Sequence, residues 1–124
     1  MNRSILNAAC AFAALFLLAT AAPAACPNSP KVMRAQPKDK DRLLKACQND
    51  GAKMHNICDR VSTCTQADTK ATLQKKITGA QKCVDARRKI TNDWYAGNAD
   101  AGHDAAVEGK VNQANNCIVL LSKK

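Results

Sequence analysis

The chain has 124 residues, carries 19 Lys and Arg against 10 Asp and Glu for a formal net charge of +9, and holds seven cysteines but one Trp, one Tyr and two Phe. That suits one small domain with too few rings for a large aromatic core, and it excludes multidomain enzymes and nucleotide-binding α/β folds of ordinary size. The apolar fraction of 46% is inflated by the first two dozen residues; the rest of the chain is polar, basic and rich in cysteine.

Residues 1–24 have a secretory signal layout. Arg3 supplies the basic start, an Ala/Leu/Phe stretch runs from Ala8 to Ala22, and Ala22-Pro23-Ala24 ends it, so cleavage is expected after Ala24. The apolar stretch is shorter than the roughly 20 residues a transmembrane helix needs, and no span is expected in the mature chain. An alternative, a lipoprotein processed before Cys26, lacks the Leu expected three residues earlier. Removing the segment takes away Arg3 and Cys10, leaving 18 positive and 10 negative side chains and six cysteines. An even number in an exported chain points to disulfides among Cys26, Cys47, Cys58, Cys64, Cys83 and Cys117, with the pairing left open. Their spacing does not read as a zinc site, because the nearest two, Cys58 and Cys64, have five residues between them.

Residues 25–37 hold Pro27, Pro30 and Pro37 without a sustained period and read as an extended arm pinned by Cys26. Residues 38–124 read as a single helical, disulfide-rich domain. A short amphipathic helix is expected over Lys38–Asn49, with Leu43, Leu44 and Cys47 on one face and Gly51 just beyond its end. A second short helix, Ala52–Ser62, places Met54, Ile57, Cys58 and Val61 together. The strongest pattern runs from about Asp68 to Tyr95, with Leu73, Ile77, Ala80, Val84, Arg87, Ile90 or Thr91, and Trp94 recurring every three or four residues. A turn over Ala96–Ala101 leads to another stripe of His103, Val107, Val111, Ala114, Ile118 and Leu121. The short link implies an antiparallel helical hairpin. Cys83 and Cys117 sit near the far ends of its arms, and their distances from the turn differ by about 6 Å at 1.5 Å per residue. A bridge between them is one of two even alternatives. The fold class is therefore all-α: a small disulfide-stapled domain built on a long antiparallel helical hairpin, with two short helices and an extended N-terminal arm.

Chemistry has few places to sit. His55 lies among Lys53, Met54 and Asn56 and reads as a surface or cap residue. His103, within Asp100-Ala101-Gly102-His103-Asp104 at a helix start, is the candidate base, with Asp100 and Asp104 as orienting groups and Arg87 as anion holder. The competing reading has Asp100 capping the helix, His103 filling the top of its stripe, and the Arg87 stem covering Trp94 while its head pairs with a carboxylate. Trp94 and Tyr95 either floor a pocket or cap the hairpin core. The positive excess, much of it from Lys70, Lys75, Lys76, Lys82, Arg88, Lys89, Lys123 and Lys124, points to an anionic partner: nucleic acid, anionic lipid or acidic glycan.

The run Cys83-Val84-Asp85-Ala86-Arg87, then Trp94-Tyr95-Ala96-Gly97, Gly102-His103-Asp104 and a closing Cys117 resembles the bacterial polymorphic-toxin domain known as novel toxin 16, over about Cys83–Lys124. The resemblance implies a compact helical, disulfide-bearing toxin or effector domain in which Arg87 and Gly102-His103 belong to the motif, with a cognate immunity protein as a partner. Tyr95-Ala96-Gly97-Asn98 followed by His103-Asp104 is also similar to the glycine-containing calcium loop and His-Asp helix of secreted phospholipases A2, which would make calcium the cofactor. Three functions stand side by side. The leading one is an exported toxin- or effector-like hydrolase, such as a nuclease; the others are a non-catalytic envelope or extracellular binding or inhibitor module, and a phospholipase-like lipid hydrolase.

Overall fold

The computed structural model describes residues 26–98 and 101–124. The expected signal segment and Asp100 lie outside the described residues. Those described form a turn of 3-10 helix at Cys26–Asn28 and four α-helices: α1 (Pro30–Met33), α2 (Pro37–Cys58), α3 (Lys70–Tyr95) and α4 (Ala101–Ser122). There is no strand among them. The all-α class is as expected, and three disulfides staple it.

The prolines do not keep the arm extended. Pro30 and Pro37 start α1 and α2, at positions where a missing N–H costs nothing and a fixed φ favours the helix. Ser29 caps α1 by accepting the Val32 N–H, is fully buried, and donates its hydroxyl to the Trp94 carbonyl at 2.6 Å. The arm is thereby pinned to the far end of α3 as well as to α2, through Cys26–Cys47. With its sulfur joined to Cys47, Cys26 is not a lipid-bearing thiol.

The two short helices expected over 38–62 are a single 22-residue helix, α2. Gly51 does not stop it, because Gly51 shares a buried stripe with Cys47, Met54 and Cys58. Burial of that face, stapled at both ends by disulfides, outweighs the roughly 1 kcal/mol of glycine's helix penalty. The helix ends at Cys58, and residues 59–69 form a connecting loop that carries Cys64.

α3 buries Leu73, Ala80, Cys83, Val84, Ile90 and Trp94, close to the expected seam. Thr69 caps its start by accepting the Thr72 N–H, and its last turn closes through Ala96, a left-handed residue at φ 52°, with Gly97 next at φ 78°. The chain then reverses into α4. Tyr95 meets His103 beside the turn, while Leu73 packs with Cys117, Leu120 and Leu121 at the other end, so α3 and α4 are antiparallel.

The bridge considered between Cys83 and Cys117 does not form. Cys83 faces α2 and joins Cys58, whereas Cys117 joins Cys64 on the loop. The reason is the face each presents: Cys83 belongs to a cluster with Cys47, Met54, Cys58 and Trp94, and Cys117 to a second cluster with Cys64 and Leu73. The Cys64–Cys117 link also rotates the end of the α4 stripe. Cys117 is fully buried, and Ile118, expected inside, is 46% exposed.

Candidate functional site

His103 lies in the first turn of α4, half-buried, with its ring 5.8 Å from that of Tyr95 and inclined by 43°. The close return of the chain through left-handed Ala96 and Gly97 sets the last residue of α3 against the start of α4. Tyr95 is a side chain that meets the imidazole. Sequence periodicity does not reveal this pair, because Tyr95 sits one position off the apolar seam beside buried Trp94. The turn glycine is the one available signal that the two helix ends must meet.

Asp104 comes directly after His103, on the exposed side of α4. Arg87 lies eight residues before Tyr95, about 12 Å back along α3. It is half-buried, its Nε is fully buried without a hydrogen-bond partner, and it forms no ion pair among the described residues. Arg87 and Asp104 form no ion pair with each other.

Trp94 is a core residue. It is 4% exposed, its Nε1 donates to Asp50 Oδ2 at 3.1 Å, and Lys31 Nζ stands 4.7 Å above its ring centroid. Together with the Ser29 bond, these contacts make Trp94 the lock between the arm, α2 and α3. His55 sits in the last turn of α2, where its backbone carbonyl accepts the Asp59 N–H.

Electrostatic pairing is concentrated on α3. Asp68 accepts from Lys76 Nζ at 2.7 Å and from the Thr65 N–H at 2.8 Å, and these bonds hold its pKa below the ordinary carboxylate value. Lys76 also donates to the Thr63 carbonyl, so this cluster fixes the loop before α3. Lys89 is paired with Asp93, whose hydrogen bond and charge push the ammonium pKa up. Among the described residues, no group of three or more His, Cys, Asp or Glu side chains is placed to hold a metal ion.

Fold and site together define a class: a small, all-helical, disulfide-stapled domain with a histidine at the tip of its helical hairpin. Residues 35–120 match the profile of the Novel toxin 16 family, and the chain belongs to that family. The match extends well beyond the C-terminal hairpin, taking in α2 and the Cys64 loop. No curated protein and no solved structure matches the chain. The toxin-family domain and the three disulfides fit an extracellular or periplasmic location. No helix among the described residues is long and apolar enough to cross a membrane.

Proposed function

We propose that this toxin-like protein is exported through its N-terminal segment and acts as a hydrolase with His103 as the general base, counteracted in the producing cell by an immunity protein. The observation that carries the reading is the position of His103: half-exposed at the hairpin tip, its ring held by Tyr95, on a backbone fixed by the turn. An imidazole oriented on a rigid element and open to solvent on one side is suited to taking a proton from water or from a substrate hydroxyl. Arg87, about two turns before Tyr95 on α3, would supply the cation for an anionic group entering beside α4.

A second reading, a non-catalytic binding module, is favoured by the same Arg87, which forms no ion pair among the described residues and stands about 12 Å back along α3 from Tyr95, so it and His103 need not act together. Periplasmic expression of wild type and His103→Ala, with helicity and the three disulfides checked in both, separates the readings. Loss of toxicity in a folded His103→Ala protein supports catalysis, and unchanged toxicity rejects it. Incubation with RNA, DNA and anionic liposomes, with and without calcium, identifies the bond cleaved; absence of turnover on all of them favours the binding module.

A further inference from the structure

We propose that the groove between α3 and the loop after α2 is a binding site for a single strand of nucleic acid, gripped through its phosphates without regard to base sequence. The groove has a volume of about 680 Å³ and is lined by four cations, Arg60, Lys75, Lys76 and Lys82, and by no carboxylate. Two other surface grooves differ in this respect: one carries Asp39 and Asp93, the other Asp41. Lys76 is already neutralised by Asp68, but Arg60, Lys75 and Lys82 are exposed and form no ion pair among the described residues. Three uncompensated charges around one concavity repel each other unless an anion enters.

The spacing selects the anion. Lys75 and Lys82 are two turns apart on α3, about 10 Å along its axis, too far to share one phosphate and far enough to meet successive phosphates of one strand. Arg60 faces them from the loop side, so the charges lie on two walls. A small mono-anion would leave most of that span unused. A flat lipid surface would meet the rims alone, and none of the large exposed apolar side chains, Met33, Ile57, Ile118 and Val119, lines the groove to insert into a bilayer. No aromatic ring lines it either, so bases have nothing to stack on and contact is confined to the backbone. Gly79 and Val61 also line the groove, with Val61 Cγ2 3.8 Å from the position a Cβ would take on Gly79.

The groove does not rest on the His103 reading. Lys75 and Tyr95 are about 200° apart around α3, on nearly opposite sides, so binding and chemistry can be tested separately. Fluorescence anisotropy with dye-labelled oligothymidylate and oligouridylate, across a salt series, provides the test. Wild type should bind both, with a log K against log salt slope of about −2 for three single-strand phosphate contacts, falling to about −0.7 in Lys75→Ala/Lys82→Ala. Affinity at low salt should drop roughly tenfold or more in that variant. Arg34→Ala/Lys45→Ala removes the same charge elsewhere and should retain the wild-type slope, as should His103→Ala. Circular dichroism checks that the exposed lysine substitutions leave the fold intact. Equal losses in the two double variants would overturn the proposal, as would an unchanged slope in Lys75→Ala/Lys82→Ala. Groove-dependent binding to phosphatidylglycerol vesicles without oligonucleotide binding would also overturn it.

Discussion

Replacing Cys64 and Cys117 together by Ala should be the most damaging removal of a disulfide in this protein. The two cysteines are 53 residues apart, against 21 for Cys26–Cys47 and 25 for Cys58–Cys83. Loop-closure entropy assigns the long link about 4 kcal/mol and each short one about 3.5 kcal/mol. Both sulfurs are also packed against fully buried Leu73, so truncation leaves a void that adds to the loss. A domain of this size has about 5–15 kcal/mol in all, so the variant should stay folded at low temperature with its margin cut by a large fraction. Urea unfolding measures it, because Trp94 is the only tryptophan in the chain and is buried in the other core cluster. With a slope of about 2 kcal/mol per molar urea, the midpoint should fall by about 2 M. Far-UV ellipticity and Trp94 fluorescence should move together if the two clusters unfold as one unit. A loss below about 1.5 kcal/mol, or one smaller than that of Cys26→Ala/Cys47→Ala, would refute the entropic ordering.

Ala96→Gly should stabilise by about 1 kcal/mol, since Ala96 holds a left-handed φ of 52° that only glycine adopts freely, and thermal unfolding would show it as a rise of several degrees. Gly79→Ala should also stabilise, by about 0.5–1 kcal/mol of helix propensity, because the new Cβ meets Val61 at an ordinary contact distance; an unchanged or lower midpoint would contradict this. Ser29→Ala removes both the cap of α1 and the buried bond to the Trp94 carbonyl, and should cost about 1–3 kcal/mol while altering Trp94 emission. Asp68 has a lowered folded pKa, so its contribution is full above the ordinary carboxylate value and is lost as pH falls through the lowered one. The stability difference between wild type and Asp68→Asn should thus be present at neutral pH and vanish in strong acid, a trend read from urea midpoints across pH.

The helical hairpin was legible because α3 and α4 obey a 3.6-residue period over many turns, and periodicity is the part of folding that sequence writes locally. The features that escaped were set by partners distant in the chain. Gly51 looks like a stop signal in isolation, and only the burial of its face beside Cys47 and Met54 shows why the helix runs through it. Pro30 and Pro37 look like breakers until Ser29 and Trp94 show what the arm docks on. Disulfide pairing depends on helix rotation, and a rotation small enough to exchange Cys117 for Ile118 on the buried face is beyond what a stripe of alternating residues resolves. At the candidate site, His103 could be picked out by its place at a helix start, whereas Tyr95 could not, since its contact is created by the turn.

The same economy explains where function can be accommodated. With one Trp and one Tyr in the described domain, α3 is held by sulfur on one side through Cys58–Cys83 and covered on the other by α4, itself tied down through Cys64–Cys117. Covalent staples reduce the apolar area the helix must bury, and the remaining width of α3 is free to carry charge. The polar stripe through Lys75 and Lys82 is consequently continuous with the loop bearing Arg60, and that loop is fixed in place by Cys64 and by the Asp68–Lys76 pair. Loss of either restraint should loosen Arg60 before it unfolds α3. The Cys64→Ala/Cys117→Ala protein should therefore bind oligonucleotide more weakly even under conditions where its helicity is wild-type, a result that purely global destabilisation does not produce.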